Sequence, residues 1–510
     1  MPSLVLSDFR GGLNTKLDPW KLQPNQLQAA ENVILRNGRL DPLPDLGSAV
    51  TTGLGSGNWT WIYKLGNQWL ASTTQRYAVL WQNIYLAYIE SGNSPQYTNG
   101  TSISNLGLSS PLSAPTATDS GTGNITNATV QYVVTYYDVL GQESGPSPLS
   151  NLLNLTGRQV SLTNIPTGPG STVGRKIYRL VSGAFLLVTT IANNTATTFT
   201  DNTADTGLTS PLLTDQAGAA PTMKGLFINT YAARLWGWDA NTIYWSNAGI
   251  ASAWNMAGKK LSDNVVAGGS VGNINVALTA SKPWIITGTT NATFTFNEAN
   301  NVYGCPTGAG FSLVKTDKGL VYWSTQGLVL IDGGGGFTLL TREALGQSDV
   351  DVYNAVASSM IGAYWNGYYM LFTSAGTLTC DLRDGPPVFT TNTQAIGAAF
   401  TALDGTLYVS VGSQIYPWAQ GANRLMRVQT PSFTDADLYG PFHVRRAAVF
   451  TDGSVTPQWY QNSQKWGAYG LVDSKSGYCL CWTALGNWDR PSLELTTTST
   501  INQIEVNAEL

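Results

Sequence analysis

The feature that most constrains the fold is a series of three short β-forming runs between residues 313 and 340. Each run is rich in β-branched or aromatic residues, and a tight turn, Gln326-Gly327 or Asp332-Gly333, separates it from the next. The runs are residues 320–324, 328–331 and 337–340. This series predicts an antiparallel meander of three short strands.

Two related hairpins follow downstream. The turns are Asn366-Gly367 and Asp404-Gly405, and the runs around them are residues 363–365, 368–372, 396–400 and 407–411. The two turns lie roughly forty residues apart, which is the period of a propeller blade. The pattern therefore predicts a β-propeller. Its repeat is degenerate and carries no Gly-His…Trp-Asp blade signature.

The composition favours a chain that buries surface against neighbours. Charged residues make up 11% of the chain, against roughly 25% in ordinary soluble proteins. Together with 17 Trp and 23 Tyr, a polar but mostly uncharged surface suits a β-rich chain that buries much of itself against neighbours. The alternative is a large monomeric all-β protein with a low-charge surface. The net charge of −4 argues against a static nucleic-acid binder, because phosphate binding needs clustered basic residues and Arg445-Arg446 is only a pair.

The cysteine and histidine content predicts neither a disulfide framework nor a metal site. Cys305, Cys380, Cys479 and Cys481 are too scattered for a framework, and His443 alone leaves a Cys/His zinc site without ligands. Residues 479 and 481 are expected to be small buried residues on one face of a strand. We expect no cofactor, no signal peptide at residues 1–12 and no membrane span. The chain is therefore expected to be made in a reducing cytoplasm.

Two linkers divide the chain. Residues 109–119 and 209–221 are rich in Ser, Pro, Ala and Thr, and the runs between them have the 8–12-residue spacing of a β-sandwich. Residues 135–138, 143–147, 177–179 and 199–201 resemble a fibronectin type III-like module. The predicted divisions are an N-terminal segment with the first propeller strands (1–111), the inserted module (112–214), the remaining blades (215–437) and a C-terminal β-sandwich (438–510).

The N-terminal segment has the most distinctive local pattern. Pro24 suits the first turn of a short helix, with Leu27, Ala30 and Glu31 following at helical spacing. A strand at residues 32–36 and a hairpin turn after it complete the prediction.

A motif in this segment carries a resemblance to a known family. Its residues, in order, are Gly11-Gly12-Leu13-Asn14, Asp18-Pro19, Leu22, Pro24, Gln26, Ala30-Glu31-Asn32-Val33, Asn37-Gly38 and Leu40. The motif resembles the opening of tail nozzle or tail hub proteins of short-tailed bacteriophages, also called packaged-DNA stabilisation proteins. It covers only a small part of the chain, and related openings occur in other phage tail components.

The resemblance implies a structural protein of the virion tail, assembled in the bacterial host cytoplasm. It implies a homohexameric ring below the head-to-tail adaptor, with tail fibres or spikes nearby. The central channel of this ring would retain the packaged genome and let the DNA pass on ejection, without sequence-specific binding. No catalytic, cofactor-binding or metal-binding residue carries over from the family, and the partner-binding residues are unknown.

Catalysis has weak support in the sequence. His443 lies in a predicted strand beside two arginines, where a structural role is expected. A glycosidase needs two carboxylates, and Asp332, Asp351 and Asp404 are candidates, although turn chemistry alone explains most of them. Asp263, or the pair Asp381 and Asp384, could contribute to a calcium site. The sequence around these residues lacks the rest of a calcium-binding loop. The expectation is a protein without enzymatic activity.

The alternative function is a tail protein that binds or cleaves glycans at the host cell surface. Aromatic side chains that stack on sugars would support it. The candidates are Trp59, Trp61, Trp245 and Trp323. Packing in the core is the competing explanation for these residues.

Overall fold

The computed structural model describes residues 3–90, 92–213, 219–254, 257–300, 303–383, 385–433, 443–461, 464–466, 469–471, 478–482 and 491–509. Regular structure in these ranges is almost entirely β-strand, and the predicted all-β class is confirmed. The α-helix there is Gln347–Ala355, and the short 3-10 helices are Asp205–Gly207, Ala309–Ser312, Leu340–Glu343 and Ala357–Ser359. No helix in the described ranges is long and apolar enough to cross a membrane.

Seven sheets in the described ranges form the blades of a propeller. Their strands are Trp61–Leu65 and Gln68–Ser72 (blade 1); Arg76–Trp81, Tyr85–Glu90, Gln96–Thr98 and Ile103–Asn105 (blade 2); Gly225–Asn229, Arg234–Asp239, Thr242–Asn247, Ile250–Trp254 and Lys259–Lys260 (blade 3); Val265–Val271, Ile274–Thr279, Trp284–Thr287 and Thr295–Glu298 (blade 4); Val314–Lys315, Leu320–Ser324, Gly327–Ile331 and Phe337–Leu339 (blade 5); Ile361–Trp365, Tyr368–Thr373, Gly376–Asp381 and Val388–Asn392 (blade 6); and Ala398–Thr401, Leu407–Val411 and Gln414–Pro417 (blade 7).

The blades surround one central channel, and this arrangement identifies the propeller. Residues of the first strand of every blade line the channel. The first strands of blades 2 to 7 contact one another in turn, and that of blade 7 contacts that of blade 1. Trp61 of blade 1 clusters with Leu86 and Tyr88 of blade 2, which completes the circle.

The hairpins predicted from the sequence are confirmed as parts of blades 5, 6 and 7. In blade 6, Asn366 and Gly367 both adopt positive φ, at 50° and 86°. This conformation matches the twist of the flanking strands, and Asn-Gly tolerates it better than other residue pairs. The local sequence therefore fixes where each of these strands turns.

Residues 47–59 close the propeller by pairing with blade 7. The backbone N–H groups of Gly47, Val50 and Trp59 donate to carbonyl oxygens of Pro417, Ile415 and Gly412, at 2.9, 2.9 and 3.1 Å respectively. The segment before blade 1 thus covers the free edge of the last blade. Backbone hydrogen bonds therefore link the segment that leads into blade 1 to the outer strand of blade 7.

The inserted module is a two-sheet sandwich between blades 2 and 3. One sheet contains Thr116–Ile125, Arg158–Thr163 and Phe199–Asp201, and the other contains Tyr132–Asp138, Thr172–Val181 and Ala184–Ile191; a small pair, Thr129–Val130 and Leu153–Asn154, lies beside them. Inward-facing residues of both sheets, among them Tyr132, Val134, Val160, Leu162 and Ile177, form one buried cluster.

A serine ladder protects the edge of this sandwich. The backbone N–H groups of Ser144, Ser147 and Ser150 donate to the carbonyl oxygens of Tyr136, Val134 and Tyr132. The three Oγ atoms accept hydrogen bonds from the N–H groups of the same strand residues, at 2.9, 3.0 and 2.9 Å. The spacing of three residues matches one turn of a polyproline II helix. Side chains thus supply the acceptors that a neighbouring strand would otherwise provide.

Replacing Ser147 with alanine is expected to lower the free energy of unfolding of the module by about 1–3 kcal/mol, because the buried Val134 N–H loses its acceptor. Hydrogen exchange of peptides from residues 129–154 measures the effect. Ser120→Ala is the control, since Ser120 is exposed and its Oγ makes only one 3.3 Å hydrogen bond. Equal losses in both variants would contradict the role given to the ladder.

The N-terminal segment is joined to the C-terminal β-domain by strand pairing. One sheet contains Tyr469–Leu471, Tyr478–Trp482, His443–Thr451, Ile501–Glu509, Arg39–Pro42, Val33–Arg36 and Ser3–Leu6. A second sheet continues from blade 6 through Ala29–Glu31, Met426–Gln429, Pro491–Thr497, Thr456–Gln461 and Gln464–Trp466. Blade 6 and the C-terminal domain therefore share one continuous nine-stranded sheet.

The helix predicted from Pro24 onward is wrong. Residues Gln26–Leu27 and Ala29–Glu31 are strands. Gln26–Leu27 pairs in parallel with Gly12–Leu13, and Ala29–Glu31 lies between Met426–Gln429 and blade 6. Pairing with partners distant in sequence overrides the local helical spacing in this segment. The predicted hairpin at Asn37-Gly38 is confirmed between Val33–Arg36 and Arg39–Pro42.

Candidate functional site

The central channel of the propeller is a cavity of about 550 Å³. This volume lies in the range of small-molecule sites. Arg76 of blade 2 and Lys315 of blade 5 line it, whereas its lining in the described ranges includes no carboxylate. The charged residues of the lining are thus both cationic, although the chain carries a net charge of −4, and low-dielectric walls concentrate the field of such cations.

Aromatic rings form much of the channel wall. The Tyr63 and Phe400 rings lie 4.6 Å apart, and Tyr77 stacks on Phe311 at 4.4 Å. Burial raises the pKa of Tyr63 to about 12, so its hydroxyl stays protonated at neutral pH. The channel wall thus combines aromatic rings that pack on one another with protonated tyrosine hydroxyls.

Arg76 is held in place by several contacts. Its guanidinium lies over the Trp61 ring at 5.5 Å and the Tyr88 ring at 5.2 Å. One terminal nitrogen, Nη2, is 3.4 Å from the Glu90 carboxylate. This charge is therefore partly balanced, unlike that of Lys315, for which the structure shows no carboxylate partner within the described ranges.

The channel has two different ends. In each of blades 1 to 6 the last strand runs antiparallel to the first, so the blade begins and ends on the same face of the propeller. The inserted module connects blades 2 and 3 on that face. The opposite face, here called the turn face, carries the first turn of each blade. Lys315, Tyr364 and Thr401 lie at or near the ends of their first strands, at the mouth of the channel on the turn face.

A second and larger cavity, of about 1210 Å³, lies beside the N-terminal motif. We call it the motif groove. It is lined by Asp8, Arg10, Gly11, Asn14, Gln23, Asn25, Gln26, Leu35, Arg36, Asn37, Gly38, residues 337–340, Arg342, Glu343, Ala344, Asp381, Arg383, Gly385, Pro386, Pro387 and Val388. It therefore lies between part of the N-terminal segment and the outer strands of blades 5 and 6.

Opposite charges are paired along the motif groove. Asp8 accepts from Arg10 at 2.7 Å, and this hydrogen bond is the main reason that the pKa of the Asp8 carboxyl is lowered. Arg383 pairs with Asp381 at 2.7 Å. The wall of the groove is consequently polar and of mixed charge.

The motif residues serve packing inside the fold. Gly12 has φ +59°, and a Cβ there would lie 2.8 Å from the carbonyl oxygen of Phe389 in blade 6. Asn14 is buried, donates to the Glu343 carbonyl at 2.9 Å and accepts from the Lys16 and Leu17 N–H groups. These contacts attach the N-terminal segment to the linker and blade that follow blade 5.

The structure does not bring the candidate catalytic carboxylates together. Asp332 caps a blade 5 turn by accepting from the Gly334 and Gly336 N–H groups, Asp351 accepts from a helix neighbour, and Asp404 caps a blade 7 turn. The backbone N–H of Thr406 is the main cause of the lowered pKa of Asp404. Turn and helix chemistry therefore accounts for all three.

The remaining predicted metal and catalytic residues are also dispersed. Asp263 accepts from the Asn264 and Ser281 N–H groups, and Asp381 pairs with Arg383, whereas Asp384 lies outside the described residues. The described residues contain no cluster of three or more metal-ligating side chains. His443, Cys479 and Cys481 lie in paired strands, and the predicted burial of the two cysteines falls outside the described side chains.

Core packing explains most of the tryptophans considered for sugar binding. Trp61, Trp245 and Trp323 are 8%, 6% and 0% exposed. Trp59 is half-buried, and its indole N–H donates to the Ser413 carbonyl. The aromatic residues of the channel, Tyr63 and Phe400 among them, were not predicted. Their only sequence signal is their place in the first strand of a blade.

Comparisons with known proteins identify no family. No family model matches the chain, and no curated protein does. Among solved structures, the chain is similar to the computationally designed Ika8 protein at 11% identity, covering 74% of this chain and 99% of that chain, with a TM-score of 0.31. BamB from Moraxella catarrhalis matches at 9% identity over 73% and 96%, with a TM-score of 0.32. BBS1N in complex with ARL6DN matches at 8% over 74% and 96%, with a TM-score of 0.30. These scores are too low to bear on function.

Proposed function

We propose that the chain is a structural protein of a bacteriophage tail, a nozzle or hub subunit that forms a ring below the head-to-tail adaptor. The observation that carries the proposal is the ordered motif at residues 11–40, which resembles the opening of such proteins. In this function the ring retains the packaged genome and lets the DNA pass on ejection. The protein acts in the virion tail through shape and contacts, without catalysis.

The way in which the motif is used supports this function. Gly12 packs against blade 6, while Val33–Arg36 and Arg39–Pro42 extend the sheet of the C-terminal domain. The nine-stranded sheet continues from blade 6 into that domain. A subunit whose parts are joined by continuous sheets resists bending between them, which suits a block repeated around an axis.

The DNA path in this proposal lies between subunits. The channel inside one propeller has a volume of only about 550 Å³, which is the size of a small-molecule site. A duplex would instead run along the axis of the ring. The net charge of −4 per subunit would repel phosphates and limit adhesion of the passing genome.

The purified chain is expected to form a closed ring of about six copies, the state that the family resemblance implies. Mass photometry gives the copy number, and negative-stain images show whether the ring has an open pore. The same measurements with the adaptor ring added test assembly that depends on this partner. A chain that stays monomeric both alone and with the adaptor would overturn the proposal.

A second candidate function, glycan binding at the host surface, is favoured by a different observation. Aromatic rings and cations come together in the propeller channel, whose lining includes Trp61, one of the tryptophans considered from the sequence. Binding there is compatible with a place in the tail.

A further inference from the structure

We infer that the propeller channel is a binding site for an acidic sugar, with Lys315 as the main contact of its carboxylate. This inference comes from the charges, rings and hydroxyls of the channel. It does not rest on the proposed nozzle function, which uses the motif segment and the outer surface of the subunit.

The distribution of charge points to an anion. Lys315 and Arg76 are the charged residues of the channel lining. The neighbouring carboxylates keep their negative charge but do not line the channel: Asp317 accepts from the Tyr364 hydroxyl at 2.6 Å, and Glu90 lies beside Arg76. The Lys315 side chain is exposed, and none of the ion pairs formed within the described ranges includes it. Its ammonium group is therefore available to a ligand.

The uncharged lining points to a polyhydroxylated ligand with apolar ring faces. Tyr63 and Phe400 form a tilted pair 4.6 Å apart at the wall. Both side chains are half-buried, and the part of each ring that stays exposed gives a pyranose an apolar surface. Hydroxyl and amide groups are distributed between them, on Thr60, Gln75, Thr230, Ser270 and Thr401. The Thr60 Oγ1 is buried and has no hydrogen-bond partner.

The position of the two cations predicts how the ligand lies. Lys315 is at the mouth on the turn face, whereas Arg76 begins the first strand of blade 2 and is close to the other end. A short acidic oligosaccharide can reach from one to the other along the channel. A single uronate would contact Lys315 alone.

The test is isothermal titration of the full chain with trigalacturonate, with monomeric galacturonate and with neutral cellotriose. We expect trigalacturonate to bind, cellotriose to bind at least about tenfold more weakly, and added salt to reduce the difference. If trigalacturonate binds more tightly than galacturonate, the natural ligand is part of a polysaccharide. If the two bind equally per site, the natural ligand is a free sugar acid.

Two lysines of the same turn provide matched variants. Lys315→Met is expected to weaken trigalacturonate binding about tenfold. Lys318→Met should leave it unchanged, because Lys318 is exposed but does not line the channel. No binding by the unmodified chain at millimolar ligand, or equal losses in the two variants, would overturn the inference.

Discussion

Replacing Arg179 with methionine is expected to lower the free energy of unfolding of the inserted module by about 3–5 kcal/mol. The Arg179 side chain is fully buried and pairs with Asp201, which is also fully buried. It also contacts Asp205 at 2.8 Å and the Thr203 carbonyl at 2.9 Å. Without the guanidinium, the Asp201 carboxylate keeps a hydrogen bond from the Tyr132 hydroxyl but remains an uncompensated buried charge.

The matched control is the exposed ion pair of the same module. Arg158 lies 2.8 Å from Asp119, and both side chains are about 40% exposed. Arg158→Met is expected to destabilise the module much less than Arg179→Met, because water screens this exposed pair. Hydrogen exchange of module peptides in the full chain measures both losses. A loss in Arg179→Met as small as that in Arg158→Met would show that the buried pair is not what stabilises the module.

Much of the propeller was predictable because its turns are local. Asn366-Gly367 and Asp404-Gly405 specify tight turns by their own conformational preferences, so the hairpins of blades 6 and 7 follow from short stretches of sequence. The meander of blade 5 follows in the same way. By contrast, Ala29–Glu31 becomes a strand through pairing with residues roughly four hundred positions away. No local pattern carries that information, and the helical spacing there was misleading.

The candidate site was not predictable for a related reason. Arg76 and Lys315 are separated by more than two hundred residues and line the same channel only because seven blades close into a circle. The alternation of apolar and polar residues along a strand shows that the strand has two different faces. It does not show which residues of the first strand face the channel. The tryptophans drew attention in the sequence because they are large, yet size is also why the core buries them.

The second large effect is expected at Gly12, a glycine of the family-like motif that has both a positive φ and close neighbours. Gly12→Ala should lower the free energy of unfolding by about 1–2 kcal/mol from the left-handed backbone and by a further 1–3 kcal/mol, roughly, from overpacking. Its φ is +59°, and an added Cβ would meet the Val388 side chain and lie 2.8 Å from the Phe389 carbonyl oxygen. Those atoms belong to the strand of blade 6 that leads into the shared sheet.

Gly66 separates the two contributions, because it has φ +58° and no atom within 4 Å of an added Cβ. Gly66→Ala should therefore show the conformational cost alone, and thermal denaturation of both variants gives the difference. If the two losses are equal, the contact with blade 6 contributes nothing and the motif glycine is needed only for its backbone conformation. If Gly12→Ala costs more, the motif acts by bringing the N-terminal segment against the propeller. The role of the motif glycine would then be packing inside one subunit, and the contacts between subunits would have to be sought on other surfaces.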